Sequence, residues 1–274
     1  METPKDLRKE FQSVLDRAYT QYKQYQKVEE IMSREIITTT PETTMDNVAK
    51  TMGEKHIGSL IVIKYGTPVG IVTERDLLSD VLALGRNLKE VKVEGEMSYP
   101  LITICSTAKI KEAAQMMINK KGRLAVFECG KIIVIVTASD LIRSLPEAPE
   151  TQVKVNDFMT PKVVVVDEKM SVESVTKIMG DKRIGSVIVS SKGVPKGIFT
   201  ERDLLTSFLA KGRALDVPVG KACSSPLLTA PLGISVHEAA YFMVSKHIRR
   251  LPLKKDNELV GIITARDLVE AYAK

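Results

Sequence analysis

Histidine and cysteine are scarce in this chain of 274 residues, with three of each. Cys105, Cys129 and Cys223 lie far apart, are odd in number and form no Cys-x-x-Cys pair. This argues against a structural zinc site and a disulfide framework, and fits a reduced, cytoplasmic setting. The three histidines are isolated and compose no standard metal or acid–base cluster. There is no Ser-His-Asp order in a supporting context, no His-Glu-x-x-His, and no Gly-rich loop ending in Lys-Ser or Lys-Thr. An enzyme is the least expected class, and neither a metal nor a catalytic cofactor is expected. No apolar run approaches membrane-spanning length and the start lacks a signal-peptide core, so no membrane partner is expected.

Charge of either sign is not blocked. The net charge of +6 is spread along the chain, a weak signal for nucleic acid that leaves such a partner disfavoured. Residues 1–27 place Leu7, Phe11, Val14, Ala18, Tyr22 and Tyr25 at spacings of three and four, which predicts an amphipathic helix. It would dock on its own chain, on a second copy in a homodimer, or on a protein partner.

What the chain has in abundance is repetition. Gly70-Ile71-Val72-Thr73-Glu74-Arg75-Asp76-Leu77-Leu78 returns as Gly197-Ile198-Phe199-Thr200-Glu201-Arg202-Asp203-Leu204-Leu205 and as Gly261-Ile262-Ile263-Thr264-Ala265-Arg266-Asp267-Leu268. A degraded copy reads Val134-Ile135-Val136-Thr137-Ala138-Ser139-Asp140-Leu141. The four threonines are spaced by 64, 63 and 64 positions, the mark of a repeat architecture. Each copy reads as a β-branched strand running into a helix start, with Thr as cap and Asp in the first turn. Thr and Asp at this spacing are explained by capping alone. Arg75, Arg202 and Arg266 are not, because a cap needs no cation, whereas an anion at a helix start does.

The Gly-apolar-apolar-Thr-x-x-Asp pattern, at this period and in pairs, resembles the CBS domain over about residues 28–273. The resemblance implies an α/β fold (α+β CBS repeats) of four strand-helix-strand-strand-helix repeats, forming two paired modules packed into a disc. The expected organisation is the helix of 1–27, a first pair at 28–145 (28–84 and 93–145), a linker at 146–153, and a second pair at 154–273 (154–210 and 217–273). The linker carries two prolines and two acids without periodicity.

The resemblance also implies a ligand, AMP, ADP or ATP. Asp76, Asp203 and Asp267 would accept from ribose hydroxyls, while Thr73, Thr200 and Thr264 would bond phosphate or ribose. By family position the base would lie against Thr38, Thr39, Ile57, Gly58, Val165, Ile184, Gly185, Leu228 and Ile248, for each of which plain core packing is the competing reading. Lys246-His247-Ile248-Arg249-Arg250 is the most charged approach to a second strand, with Arg123 in its counterpart. In adenylate-sensing relatives basic residues there reach phosphates. The second copy keeps Thr137 and Asp140 but has Val134 for Gly and Ser139 for Arg, so its site is expected to be weakest or empty.

The expected function is regulatory: adenine-nucleotide sensing passed to a protein partner, a regulated enzyme or transporter. Alternatives are a scaffold with empty pockets that works through residues 1–27, a nucleic-acid-binding regulator, and an S-adenosylmethionine-binding protein, whose ligand's cation the arginines would disfavour.

Overall fold

The computed structural model describes residues 26–32, 36–120, 122–144 and 153–274. The helix expected over residues 1–27 lies outside these apart from its last two positions, as does the linker apart from Val153.

Each repeat threads a short strand, a helix, a hairpin and a second helix. The first has β1 (Thr38–Thr39), α1 (Met45–Glu54), β2 (Ser59–Lys64), β3 (Thr67–Thr73) and α2 (Glu74–Asp76), which widens to a π-helical turn over Leu77–Leu82. The second has β4 (Thr103–Cys105), α3 (Ile110–Asn119), β5 (Leu124–Glu128), β6 (Lys131–Val136) and α4 (Ala138–Ser144). The third has β7 (Thr160–Pro161), β8 (Val165–Asp167), α5 (Val172–Asp181), β9 (Ser186–Ser191), β10 (Val194–Thr200) and α6 (Glu201–Ser207). The fourth has β11 (Ala230–Pro231), α7 (Val236–Ser245), β12 (Arg250–Lys255), β13 (Glu258–Thr264) and α8 (Ala265–Ala273). In every repeat the strand before the first long helix runs parallel to the next strand, which pairs antiparallel with the one after it.

Local chemistry explains these elements. The hairpin tips Tyr65-Gly66, Cys129-Gly130, Lys192-Gly193 and Asp256-Asn257 each hold two consecutive residues at positive φ. Such two-residue turns match the strand twist and call for Gly or Asn at the second position. Helix α1 starts at Thr44, whose side chain accepts from the Asn47 N–H at 3.4 Å, and buries Met45, Val48, Ala49 and Met52 on one face. The sequence pattern predicts a regular helix from Glu74 to Leu84. Instead, the helix widens after Asp76; beyond it Ala83 packs on Gly180 of α5, where any side chain would collide with the Ala83 methyl.

The start of each repeat is lent to a neighbour. Val28, Val93, Val155 and Val219 are all fully buried. Their N–H groups donate to Ala108 O at 2.9 Å, Thr43 O at 2.9 Å, Ile234 O at 3.1 Å and Met170 O at 2.8 Å. The first repeat thus lends its opening turn to the second and the second to the first, and the third and fourth exchange in the same way. Bridges extend the exchange: Ser98 pairs with Ile71, Ser224 with Ile198, and Thr160 with Ile262. These crossings account for the motif glycines. A Cβ on Gly70, Gly197 or Gly261 would stand 2.9, 2.5 or 2.9 Å from the carbonyl oxygen of Ser98, Ser224 or Thr160.

The chain divides into two compact units. One gathers Ile36–Leu101 and Val163–Leu228, and so most of the first and third repeats. Leu205 of the third repeat is buried in the core of the first, and Leu78 of the first in the core of the third. The other gathers Gln26–Met32, the described residues of Ile102–Lys162, and Thr229–Lys274, around one core shared by the second and fourth repeats. The pairing of consecutive repeats expected from the resemblance stands as a proposal beside this partition.

Candidate functional site

Two of the predicted stretches of a repeat, the approach to its hairpin and the Thr-x-x-Asp motif, meet at one end of its sheet. In the first repeat Ser59 opens β2 opposite Thr73, which closes β3. The N–H of Glu74 then donates to Gly58 O at 3.2 Å. The same bond joins Glu201 to Gly185 at 3.0 Å and Ala265 to Arg249 at 2.9 Å. The residue before the hairpin and the residue after the capping Thr are therefore held together, although 15 positions stand between them in each of these repeats.

At that end sits the Thr-Asp box. The N–H of Thr73, Thr137, Thr200 and Thr264 donates to Oδ2 of Asp76, Asp140, Asp203 and Asp267 at 2.7, 2.9, 2.8 and 2.7 Å. The hydroxyls of Thr137, Thr200 and Thr264 donate to the same oxygens at 2.7, 2.8 and 2.8 Å. Capping is therefore present in all four copies and uses mainly one carboxylate oxygen. Oδ1 differs between copies: Ser224 Oγ lies 3.4 Å from it in Asp203, and Arg143 covers it in Asp140 at 3.4 Å. Asp140 is the most buried of the four aspartates, and Val134 of the same repeat is buried too. Burial pushes the Asp267 carboxyl above the usual aspartate range, against the bonds from Thr264.

The arginines have partners that sequence reasoning missed. Arg75 Nε lies 3.3 Å from Glu201 Oε1, and Arg202 Nε lies 2.6 Å from Glu74 Oε1. The two glutamates are buried, at 7% and 8% exposure, and each repeat supplies the cation for the other's anion. The contact of Arg202 with Glu74 is an ion pair: Arg202 donates a hydrogen bond from Nη1 to His56 O at 2.7 Å, while its Nε and Nη2 are buried without a hydrogen-bond acceptor. Gly58 makes room for this pair: a Cβ there would stand 2.7 Å from Glu74 Oε2 and 3.0 Å from Arg202 Nη2. The signal was available as Thr-Glu-Arg-Asp in the first and third copies against Thr-Ala-Ser-Asp and Thr-Ala-Arg-Asp in the second and fourth. Arg266 has no glutamate in the paired motif and donates from Nη2 to Met117 O at 3.5 Å.

The proposed base-contacting residues divide. Thr38 is exposed, as are Val165 at 48% and Leu228 at 37%, so core packing does not account for these two apolar side chains. Thr39, Ile57, Gly58, Ile184, Gly185 and Ile248 are half-buried. Arg123 and Arg250 are half-buried too, while Arg249 and His247 are exposed. His247 turns the chain after α7 at φ 54°, as His56 does at φ 53° and Arg183 at φ 51° after α1 and α5. An open concavity of about 540 Å³ lies where the first repeat passes into the second, lined by Gly85, Arg86, Glu90, Lys92 and Glu96, and contains none of the predicted residues. Among the described residues no His, Cys, Asp or Glu cluster is arranged to hold a metal, and no helix is long and apolar enough to cross a membrane.

Comparison with known proteins agrees with this construction. The family model described as the CBS domain matches residues 28–83, 88–147, 155–210 and 219–274. An uncharacterised protein of Methanocaldococcus jannaschii is 28% identical over 266 residues, 90% of this chain and 62% of its own. One of Methanopyrus kandleri is 37% identical over 122 residues, 43% of this chain and 62% of its own. The matched region thus spans 62% of the length of each of these two relatives. Among solved structures, the M. jannaschii protein MJ1225, described as a candidate archaeal homolog of g-AMPK, superposes with a TM-score of 0.73 at 24% identity. That match covers 90% of this chain and all of that one, and shows the fold. Four matched repeats spanning nearly the whole sequence place the chain in the CBS-domain family.

Proposed function

We propose that this CBS-domain protein is a regulatory sensor of adenine nucleotides, AMP, ADP or ATP, acting on a protein partner through a ligand-dependent change of conformation. The observation that carries the reading is the convergence, in each of the first, third and fourth repeats, of the Thr-Asp box with the approach to the hairpin. A nucleotide needs an apolar surface for the base, an acceptor for ribose and cations or N–H groups for phosphate. The exposed Val165 and Leu228 suit the base, Asp203 suits the ribose, and the arginines suit the phosphate. MJ1225, which shares the fold, is described as a candidate g-AMPK homolog, and that agrees with this ligand class. The second repeat is the poorest candidate, since Arg143 covers Asp140 and Val134 fills the glycine position. The sensing mechanism is differential binding: ligands of unequal phosphate charge favour different conformations to different degrees.

Substituting Asp203→Ala tests the assignment. Equilibrium dialysis with radiolabelled AMP should show one equivalent fewer than wild type, with the melting temperature checked in parallel. Undiminished stoichiometry in a folded variant would remove the third repeat from the account.

A further inference from the structure

Charge at the three candidate sites is not distributed alike. In the first and third repeats the residue after the capping Thr is a buried glutamate, Glu74 or Glu201, each paired with the motif arginine of the other repeat. The position bonded to it through the backbone is Gly58 or Gly185, followed by Ser59 or Ser186. In the fourth repeat Ala265 takes the glutamate's place, and Arg249 and Arg250 take those of the two small residues. Relative to the other two sites, the fourth lacks the motif anion. The equivalence is geometric, because the same N–H to carbonyl bond joins each pair.

We propose that Glu74 and Glu201 set the ligand class of the first and third repeats. By neutralising Arg75 and Arg202 they hold those sites to adenosine ligands carrying a single phosphate, and the fourth repeat takes the polyphosphate forms. This rests on the nucleotide-sensor reading and deepens it. The physical basis is Coulombic: a carboxylate a few ångströms from a phosphate repels it, and each added phosphate charge enlarges the penalty. Arg75 and Arg202 cannot answer a phosphate fully while a buried glutamate competes for them. At the fourth repeat Ala265 stands where the glutamate would, and the motif supplies no such competitor for Arg266.

Calorimetric titration with AMP and with ATP, on wild type and on Glu201→Gln, Glu74→Gln and Ala265→Glu, tests it. Asp203→Ala and Asp267→Ala backgrounds assign the sites. The expected result is that Asp267→Ala removes the tighter ATP site. Each Glu→Gln change should shift the AMP-to-ATP affinity ratio at the first and third repeats about tenfold toward ATP, and Ala265→Glu should shift the fourth about tenfold toward AMP. Where a Gln variant does not fold, Ala265→Glu decides alone, since it lies in the other compact unit and leaves both Glu–Arg pairs intact. Retained binding with unchanged ratios, or loss of the ATP site in Asp203→Ala, overturns the inference and leaves the sensor reading intact. Absence of any nucleotide binding to the wild-type chain overturns both.

Discussion

At the scale of single residues, the same atoms serve stability and the candidate site. Each aspartate caps a helix with Oδ2, and the other oxygen is where the copies diverge. Asp267 illustrates the tension, because burial raises its pKa while two bonds from Thr264 pull it down, and burial wins. A folded-state pKa above the unfolded value means that the folded chain binds the proton more tightly. The contribution is fully present below the ordinary value of 3.8 and is lost as pH rises through the raised one. Asp267→Asn, which keeps an oxygen acceptor for the cap, should remove this dependence. In melting curves across that interval, wild type should lose stability relative to the variant as pH rises; a constant difference would show that burial does not govern the group. The ion pairs teach a different lesson. Arg75 and Arg202 stand out in the sequence because a cap has no use for them, and for Arg75 the use found is a glutamate 126 positions away. No periodicity within one repeat points across that distance. Only comparison of the four motifs shows that Glu and Arg occur together in two copies and that neither partner occurs in the second.

At the scale of elements, the repeat unit was legible because it is local. The Thr-Asp box, the hairpin turns and the apolar faces of α1, α3, α5 and α7 each arise within a dozen or so residues. The loan of the opening turn was not, since Val28 and Val155 lie at the start of one repeat and are buried on another. Two or three residues leave no pattern that tells which sheet will receive them. The motif glycines are the sequence trace of that loan: the chain alone suggests backbone freedom, and the crossing carbonyls supply the reason. Gly197→Ala should therefore destabilise the chain by about 1–3 kcal/mol through overpacking against Ser224 O and Cys223 Sγ. Gly95→Ala, where an added Cβ meets nothing within 4 Å, is the control and should cost nothing measurable. Equal urea midpoints for the two variants would show that the close crossing does not constrain the glycine.

At the scale of the whole molecule, two relationships run through the chain. Consecutive repeats exchange their opening turns, and alternate repeats share cores within each compact unit. The exchange ties the second repeat to the first, while core packing ties the third to the first. Such an arrangement suits a sensor, in which ligand binding must be felt beyond the residues it touches. Deleting residues 1–27 should leave ligand binding unchanged, since every candidate site residue comes later in the chain. The central claim is that the repeats hold adenine nucleotides. Calorimetric titration of the nucleotide-stripped protein with AMP, ADP and ATP tests it most directly. The account predicts saturable binding of two or three equivalents in total; the absence of heat with all three would contradict it and leave the Thr-Asp boxes as helix caps alone.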